Sequence, residues 1–456
     1  MSASKSECCA VFGIHSDEDV FDRIYNGLYS MQHRGQESAG IAIFDGEKIR
    51  IHKDMGLVSE IFKERTLNGK IGIGHVRYST TGESKIENAQ PLMINYAEGN
   101  FAIAHNGNLI NSLELKEELE RKGSVFMTTT DTEIIAYLIA IEHIRTGNFI
   151  EGIKNAMSKL RGSYSLTILR EDKIIAVRDP WAFRPLVYGR SDDTHVIASE
   201  SCALDALDVE FMRDVKAGEI LVIDNGVESY RVCAGKISHC MFEYVYFARP
   251  DSILDGVSVY KVRKNLGRIL YEEGPVDADM VTAVPDSGIT TAIGFAKASG
   301  IPYGESLIKN RYFGRTFILP EQEERESGVR IKLNPVRSEI EGKKIVLVDD
   351  SIVRGTTIKK IISLLRKSGA SQVHVRISCP PIRYPCKYGI DMQTYDEFIA
   401  REKSVEEIRR EIGADSLVYT SLDGLVRAIG LPKEKLCLAC LTGDYPLKEE
   451  QMKLKF

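Results

Sequence analysis

The stretch IVLVDDSIVRGTT, residues 345–357, combines a buried strand, two carboxylates and a helix start. Its first four residues are all apolar, which is typical of a strand covered on both faces of a parallel sheet. Asp349 and Asp350 close the strand, and a helix is predicted to begin near Thr356, after Gly355. A strand followed by a loop and a helix implies a right-handed crossover to the next parallel strand.

Similar elements flank this stretch on both sides. MVTAVPDSGITTAIGFAKASG, residues 280–300, reads as strand, loop and helix, and SQVHVRISCPP, residues 371–381, supplies a following strand. The first half of the chain instead holds many short strand-like runs and few helices, which favours antiparallel sheets. We therefore expect an α/β and α+β protein of two domains, with the boundary near residues 232–240. In the first half, the predicted strands lie at 39–46, 47–53, 70–79, 101–110, 163–169, 173–179, 195–201, 218–224 and 227–232, and the predicted helices at 20–33, 131–146 and 149–162.

Composition narrows the class of protein. The 456 residues are 43% hydrophobic and 27% charged, which is ordinary for globular domains. The net charge of -5 lacks the basic excess of a general nucleic-acid binder. No signal peptide or bilayer-spanning segment is recognisable, so we expect a cytoplasmic protein with no nucleic-acid or membrane partner. Nine cysteines in a reducing compartment are expected to be catalytic, metal-binding or buried rather than disulfide-bonded.

The loop after the buried strand suits a sugar phosphate. Backbone N–H groups at a helix start bind phosphate, because they lack intrahelical partners and the helix dipole favours negative charge. Gly355 permits close approach, and Thr356 and Thr357 add hydroxyl donors. Two carboxylates would repel phosphate but can accept hydrogen bonds from ribose hydroxyls. The alternative is a turn in which Asp350 or Ser351 only caps the helix, but the complete unit favours the sugar phosphate.

This unit resembles the phosphoribosylpyrophosphate (PRPP) motif of the type I phosphoribosyltransferases. VPDSG, residues 284–288, resembles the pyrophosphate loop of that family, and KNRYFGRTFI, residues 309–318, resembles its flexible catalytic loop. Taken alone, the basic residues of the latter would be better explained as an ordinary solvated loop, but the other two motifs favour the catalytic loop. The resemblance implies that Mg²⁺ arrives with PRPP and lies near Ser287, Asp349 and Asp350. The PRPP-binding residues that it implies are Asp286, Ser287, Gly288, Lys309, Arg311, Arg315, Asp349, Asp350, Ser351, Arg354, Gly355, Thr356 and Thr357.

The first half begins with a second family motif. CAVFG, residues 9–13, resembles the CGxxG start of the class II glutamine amidotransferases, which are N-terminal-nucleophile (Ntn) hydrolases. In that family the cysteine is the first residue of the mature chain, and its own α-amine assists proton transfer. The resemblance therefore implies that Cys9 is the nucleophile and that residues 1–8 are a propeptide. Ala10 departs from the family's usual glycine.

Other motifs follow in the order of the same family. The resemblance implies that Arg77 clamps the glutamine α-carboxylate and that Asp131 binds the α-ammonium group. Asn106 and Gly107 are implied to stabilise the oxyanion of the tetrahedral intermediate. The motifs that carry these residues are QHRGQESAGIA at 32–42, GHVRYSTTG at 74–82, AHNGNL at 104–109 and TTTDTE at 128–133.

Each of these residues also has an ordinary structural interpretation. Asn106–Gly107 is a strong signal for a hairpin turn. Arg77 is equally compatible with the surface of a strand, and Asp131 with the N-cap of the helix that follows it. The joint occurrence of the motifs favours the glutaminase interpretation.

The two halves in this order resemble the amidophosphoribosyltransferase family over nearly the whole chain. The resemblance implies an αββα Ntn sandwich at 9–235 and a phosphoribosyltransferase domain at 236–456. Its implied reaction converts PRPP and glutamine to 5-phosphoribosylamine, glutamate and pyrophosphate, the first step of purine biosynthesis, with ammonia passing internally when loop 309–318 closes. Purine nucleotide inhibitors and a homotetramer are also implied. Two alternatives are an ammonia-only phosphoribosyltransferase with an inert glutaminase half, and a non-catalytic nucleotide- or redox-sensing Fe–S protein.

Four cysteines match a subgroup of this family that binds a [4Fe–4S] cluster. CLAC, residues 437–440, would alone indicate a zinc half-site, a redox pair or two buried thiols. The subgroup resemblance implies that Cys240, Cys386, Cys437 and Cys440 hold the cluster, with zinc as the minor alternative. His239 is not expected to be a ligand. Three further cysteines are expected to be ordinary buried thiols, namely Cys202, Cys233 and Cys379.

Overall fold

Two stacked antiparallel sheets form the first half of the chain. The computed structural model describes residues 9–78, 84–224, 226–232, 235–310, 333–392 and 394–447. In spatial order, the seven-stranded sheet comprises Glu210–Asp214, Val187–Ser191, Thr194–Ala198, Ala10–His15, Ile71–Arg77, Ser38–Phe44 and Ile49–Met55. The six-stranded sheet comprises Val227–Arg231, Glu219–Ile223, Lys173–Arg178, Gly162–Arg170, Gly99–Leu109 and Leu92–Tyr96.

An apolar layer joins the two sheets, and helices cover their outer faces. Val11 and Ile73 of one sheet and Ala102 and Leu169 of the other belong to the same buried core. Helix Phe21–Ser30 packs on the seven-stranded sheet, while Asp131–Thr146 and Phe149–Lys159 pack on the six-stranded sheet. The predicted αββα sandwich is thereby confirmed. The remaining helices of this half are Val58–Ile61, Ile86–Asn88 (3₁₀), Ser112–Arg121 and Cys202–Asp205.

The second half is built on a four-stranded parallel sheet, as predicted. Its order is Met280–Ala283, Lys344–Asp349, Gln372–Ile377 and Ser416–Tyr419. Alternate residues of the strand Lys344–Asp349 face opposite cores, so Val346 and Val348 pack with helix Ile289–Ser299, while Ile345 and Leu347 pack with helix Thr356–Lys367. Because the strands are parallel, the loops after Ala283 and Asp349 meet at one edge of the sheet.

Short elements complete the second half. The paired strands are His239–Cys240 with Leu436–Cys437, Ile253–Leu254 with Val257–Ser258, and Leu307–Lys309 with Leu333–Pro335. The other helices are Glu243–Phe247 (π-helical), Val259–Glu273, Arg337–Ile340, Tyr395–Glu397 (3₁₀), Ile399–Glu402, Val405–Ile412, Leu422–Ile429, Lys433–Lys435 (3₁₀) and Ala439–Thr442. Across the described ranges, every helix is too short or too polar to span a bilayer.

All the strands and helices predicted for the first half are present, but four further strands among its described residues were not predicted. They are Ala10–His15, Leu92–Tyr96, Val187–Ser191 and Glu210–Asp214. Glu210–Asp214 is an edge strand with the sequence EFMRD, and none of its residues is buried. It therefore lacks the alternating apolar pattern that identifies a half-buried strand.

Candidate active sites

Cys9 lies at the end of a central strand of the seven-stranded sheet. The strand Ala10–His15 pairs with Ile71–Arg77, so that Ala10 is opposite Val76. The Cys9 thiol donates a hydrogen bond of 3.4 Å to the Tyr78 carbonyl. Burial raises the pKa of the Cys9 thiol, so the group is protonated near neutral pH and needs a base before it can attack a substrate.

Arg77 is buried beside Cys9 and forms an ion pair with Glu37. Its side chain is only 2% exposed, so the interpretation of Arg77 as a surface arginine is wrong. The charge of Arg77 lowers the pKa of Cys9, while Glu37 and Asp131 raise it, in each case by less than burial does. The thiol therefore lies within electrostatic reach of a guanidinium and two carboxylates, the groups needed to hold an amino acid by both of its charges.

Asn106 and Gly107 lie within the strand Gly99–Leu109, paired opposite Ser165 and Tyr164. The hairpin-turn interpretation is therefore wrong. The side-chain nitrogen of Asn106 is buried and has no hydrogen-bond partner within the described ranges. A buried donor left unpaired costs about 1–3 kcal/mol, which is expected where a ligand supplies the missing acceptor. A Cβ at Gly107 would lie 2.0 Å from the Ser163 carbonyl oxygen, so this position requires glycine.

Asp131 connects the following helix to the strand that carries Asn106. It is the first residue of helix Asp131–Thr146, and the N-cap is Thr130, so the N-cap interpretation is wrong by one position. Its Oδ2 accepts a hydrogen bond of 2.8 Å from the Leu109 N–H, and its Oδ1 lies 3.3 Å from Nδ1 of His105. These contacts fix the carboxylate close to the two oxyanion candidates.

A second candidate site lies where the loops after two parallel strands meet. The Ser287 hydroxyl donates to one carboxylate oxygen of Asp350, and the Ser351 hydroxyl donates to the other at 2.6 Å. The Asp350 N–H donates a bond of 2.9 Å to the Asp349 carboxylate. The structure thus joins the 284–288 loop to the paired acids.

Each loop leads into a helix through a glycine. A Cβ at Gly288, which precedes helix Ile289–Ser299, would lie 2.5 Å from the Val348 carbonyl oxygen. Gly355 has φ of 78° and precedes helix Thr356–Lys367, which begins at the predicted residue. Two helix N-termini, whose partial positive charge attracts anions, therefore point toward the same edge of the sheet.

The basic residues proposed for this site are only partly within the described ranges. Lys309 pairs with the Asp286 carboxylate, and Pro285–Asp286 is a cis peptide bond. Arg354 forms a 2.8 Å ion pair with Glu397. Arg311 and Arg315 lie outside the described residues, as do residues 1–8 and Cys233.

The four cysteines that the subgroup resemblance implies as cluster ligands line one cavity. Cys240 pairs with Cys437 in the parallel bridge between their short strands. Burial raises the pKa of Cys240 to about 12 and those of Cys437 and Cys440 well above the usual value. No three His, Cys, Asp or Glu side chains of the described ranges converge closely enough to hold a single metal ion. The cavity is lined by Phe183, Cys240, Cys386, Lys387, Tyr388, Ile390, Cys437, Ala439 and Cys440.

The remaining cysteines fit their predicted roles where they are described. Cys202 and Cys379 are buried, and both are free thiols. The Nδ1 atom of His239 donates a hydrogen bond of 3.1 Å to the Ala182 carbonyl and lies 3.0 Å from a carboxylate oxygen of Asp255. Its contacts are thus with the protein, and it does not line the cysteine cavity.

The segment that follows Cys386, residues 387–389, packs against the strand that carries Asn106 and Gly107. The Asn108 side chain donates a 3.0 Å hydrogen bond to the Lys387 carbonyl, and the Ser163 hydroxyl donates 2.9 Å to the Tyr388 carbonyl. A Cβ at Gly389 would lie 3.0 Å from the carbonyl carbon of Gly107. The second half of the chain thus directly supports the strand that carries the oxyanion candidates.

Several residues at these sites were not predicted. Glu37 and Arg34 occur inside the QHRGQESAGIA motif, and Tyr78 inside GHVRYSTTG, so a closer use of the motifs would have indicated them. Glu243 occurs in HCMFEYVYFARPDS, the sequence around Cys240, but nothing in that stretch indicates its buried ion pairs with Arg34 and Arg184.

The Cys9 thiol lies near charged side chains that suit the two charges of an amino acid, and the edge of the parallel sheet suits a sugar phosphate. Together, these two sites define the class of protein as a two-domain glutamine-dependent phosphoribosyltransferase. Residues 75–206 match the glutamine amidotransferase domain, and residues 251–399 match the phosphoribosyl transferase domain. These matches agree with the class that the two sites define.

Full-length relatives narrow the class to one family. The chain is 55% identical to the amidophosphoribosyltransferase of Methanocaldococcus jannaschii, with 96% of this chain and 97% of the relative covered. It is 51% identical to that of Bacillus subtilis, with 97% and 94% covered. The solved B. subtilis glutamine PRPP amidotransferase complexed with ADP and GMP matches with a TM-score of 0.90 and 49% identity, covering 96% of this chain and 98% of that one. The chain belongs to the amidophosphoribosyltransferase family.

This membership confirms the interpretation of the chain as an enzyme for glutamine-dependent amidation of PRPP in purine biosynthesis. Neither alternative, the inert glutaminase half nor the non-catalytic sensor, is favoured by similarity that extends over both halves.

Proposed function

We propose that Cys9 is the nucleophile of a glutaminase site that supplies ammonia to the PRPP site of the same chain. The observation that carries this proposal is the buried side-chain nitrogen of Asn106, which has no hydrogen-bond partner in the part of the chain that the structure describes. His75 donates a 3.0 Å hydrogen bond to the His105 carbonyl, which links the strand of Arg77 to the strand of Asn106. An oxyanion formed during attack by Cys9 is the acceptor that this nitrogen lacks.

Glutamine is bound in this proposal by its two charged groups. Arg77 forms a bidentate pair with the α-carboxylate and shares its charge between the substrate and Glu37. Asp131 accepts from the α-ammonium group while its other oxygen stays bonded to the Leu109 N–H. The side-chain amide of the substrate then reaches the thiol.

Cleavage before Cys9 provides the base. Once residues 1–8 are removed, the free α-amine of Cys9 accepts the thiol proton, which an amide nitrogen cannot do. The thiolate then forms a bond to the amide carbon, and Asn106 and Gly107 stabilise the oxyanion. The proton returns to the leaving nitrogen, ammonia departs, and water hydrolyses the thioester to release glutamate.

Ammonia passes internally to the second site. Tyr246 supports this route, because it is buried, which raises its pKa well above the usual value, and because Asp350, Asp349 and Tyr78 all act electrostatically on it. A dry route has a physical purpose, because protonation by water would abolish the nucleophilicity of ammonia. Closure of the route involves loop 309–318, of which residues 311–318 lie outside the described ranges.

At the second site, ammonia attacks C1 of PRPP and the bond from C1 to pyrophosphate breaks. Asp349 and Asp350 accept hydrogen bonds from the ribose hydroxyls. The 5′-phosphate lies at the N-terminus of helix Thr356–Lys367, held with Ser351, Arg354, Gly355, Thr356 and Thr357. The pyrophosphate lies against Asp286, Ser287 and Gly288, and Lys309, Arg311 and Arg315 stabilise its departing charge.

Mg²⁺ is proposed to accompany PRPP. Ser287, Asp349 and Asp350 offer the oxygen donors that Mg²⁺ prefers, and they lie together at one sheet edge. When bound, the ion neutralises charge on the pyrophosphate. The residues present therefore fit the ion.

A [4Fe–4S] cluster is proposed for Cys240, Cys386, Cys437 and Cys440. Tetrahedral zinc bound at about 2.3 Å would draw four sulfurs to within about 4 Å of one another. The cysteines instead line a shared cavity without converging on one point, which suits a multi-atom cluster better. The Tyr388 N–H donates a hydrogen bond of 3.3 Å to the Cys386 sulfur. The role proposed for the cluster is structural, since it would join the 240, 386 and 437–440 segments.

The remaining features of the family are proposed in the same way. The domains are proposed to span 9–235 and 236–456, in a cytoplasmic homotetramer inhibited by purine nucleotides. The nucleotide proposal is supported by the B. subtilis relative, which was solved with ADP and GMP.

The Cys9→Ala variant tests the division of labour between the sites. Glutamine-dependent activity is expected to vanish, while activity with ammonium salts survives because the PRPP site is unchanged. Loss or retention of both activities contradicts the proposal. Intact mass of the wild-type enzyme should give Cys9 as the first residue, whereas an active glutaminase that retains Cys8 contradicts the role of the α-amine.

A further inference from the structure

The main chain of Cys9 is held by a buried arginine. Nε of Arg34 donates a 3.1 Å hydrogen bond to the Cys9 carbonyl. The two terminal nitrogens of Arg34 donate to both carboxylate oxygens of Glu243, at 2.9 and 2.8 Å, and one of them also donates 2.6 Å to Glu200. Arg34 and Glu200 have no exposed side-chain surface, and Glu243 is 3% exposed.

Glu243 comes from beyond the proposed boundary between the domains. It begins the π-helical segment Glu243–Phe247, three positions after Cys240. Arg184 also donates a hydrogen bond of 3.1 Å to Glu243, and its other terminal nitrogen donates a hydrogen bond of 2.7 Å to the Tyr388 carbonyl. One carboxylate of the second half is therefore fixed by two arginines of the first.

This geometry limits how Cys9 can move. A bidentate ion pair fixes the plane of a guanidinium, so Glu243, together with the single contact to Glu200, sets the direction in which Nε of Arg34 points. The thiol, the carbonyl and the α-amine of Cys9 all branch from one Cα. A hydrogen bond that holds the carbonyl therefore also sets where the nucleophile and its base lie.

We infer that Glu243 is a positioning residue for the glutaminase reaction. It acts through Arg34 on the Cys9 backbone, so the second domain completes the nucleophilic site of the first. This inference rests on the proposed role of Cys9. Because Arg77 and Asp131 hold the substrate independently, loss of Glu243 should affect the rate of attack more than the binding of glutamine.

The test is the Glu243→Gln variant of the full-length, processed enzyme. Its glutaminase kcat is expected to fall about tenfold or more, since misplacement of reacting groups by an ångström can cost about a hundredfold. The KM for glutamine should change less than about twofold, and activity with ammonium salts should persist. Unchanged kcat, or an increase confined to KM, overturns the inference.

Asp255→Asn is the matched control. Asp255 also belongs to the second half and receives two hydrogen bonds from a buried arginine of the first, Arg178, at 2.8 and 3.0 Å. Neither residue is hydrogen-bonded to Cys9 in the described ranges. If Asp255→Asn lowers the glutaminase kcat as much as Glu243→Gln does, general domain packing explains both results and the inference fails.

A double-mutant cycle with Arg34→Lys identifies the route of the effect. Lysine keeps the charge but has no Nε–H directed at the Cys9 carbonyl. In the Arg34→Lys background, Glu243→Gln should lower kcat less than about twofold further, because both changes break one linkage. Multiplicative effects overturn the inference. If Glu243→Gln does not fold, Glu243→Asp is assayed instead, since it keeps the charge but is too short to reach both arginines.

Discussion

The Ser287 hydroxyl donates a hydrogen bond to Asp350, across the ends of two neighbouring parallel strands. This bond joins the loop proposed for pyrophosphate to the acids proposed for ribose. Asp350→Asn should therefore lower kcat/KM for PRPP about 10- to 100-fold, the range expected for losing a hydrogen bond to a charged group. Steady-state kinetics with ammonium salts measures this effect without the glutaminase step.

Asp277→Asn is the control for this prediction. Asp277 lies in the same half and forms a 2.8 Å ion pair with Lys344, but its side chain is 90% exposed. Exposed pairs contribute little to stability, so this variant should match the wild type. Equal losses in both variants would show that Asp350 has no special role in binding PRPP.

Asn106→Ala is expected to separate activity from stability. Removing an oxyanion donor typically costs about 10²- to 10³-fold in kcat, and glutaminase kcat should fall accordingly with little change in KM. The thermal midpoint should not fall, because the lost packing is offset by removal of a buried donor that has no partner among the described residues. Asn100→Ala is the control: Asn100 is a half-buried residue of the same strand, and its replacement should leave the glutaminase kcat unchanged. A destabilised variant with normal kcat would contradict the proposed role.

Local signals predicted the strand, loop and helix of the proposed PRPP site well. The IVLV run, the two acids and Gly355 all act over a few residues, and the structure begins the helix at the predicted position. Asn106 shows the limit of such signals. Asn-Gly favours a hairpin turn locally, but pairing with the strand Gly162–Arg170 places it within a long strand.

Glu243 could not have been predicted from its neighbours in the sequence. It occurs in HCMFEYVYFARPDS, where a single glutamate usually indicates a surface position. Its burial depends on Arg34 and Arg184, which are 209 and 59 positions away in the chain. The contacts between the halves that support Cys9 and Gly107 are all of this long-range kind.

His75 should make stability depend on pH in the acid range. It is buried, its Nε2 donates to the His105 carbonyl, and its Nδ1 has no partner among the described residues. Burial lowers its pKa from 6.5 to about 3, so the folded state resists protonation that the unfolded state accepts. The stabilisation is complete above pH 6.5 and is lost as the pH falls toward about 3, by up to about 1.4 kcal/mol per pH unit.

The comparison of wild type with His75→Gln checks this prediction. Glutamine keeps a donor for the His105 carbonyl but does not titrate. Thermal midpoints measured from pH 7 down to pH 4 should fall less steeply in the variant. Parallel curves for the two proteins would mean that other groups cause the acid sensitivity.

Loss of one proposed cluster ligand should impair the glutaminase reaction more than the reaction at the PRPP site. The Lys387 and Tyr388 carbonyls, which flank Cys386 on its C-terminal side, hold Asn108 and Ser163 beside Gly107. Cys437→Ala should therefore lower iron and sulfide content, lower the thermal midpoint, and reduce glutamine-dependent activity more than activity with ammonium salts.

Cys379→Ala is the matched control, because Cys379 is fully buried but does not line the cavity. Its cost should be limited to the lost packing of one small side chain. Stoichiometric zinc in the wild type would contradict the cluster, while equal loss of both activities in Cys437→Ala would show that the cysteine segment supports the whole fold rather than the oxyanion strand.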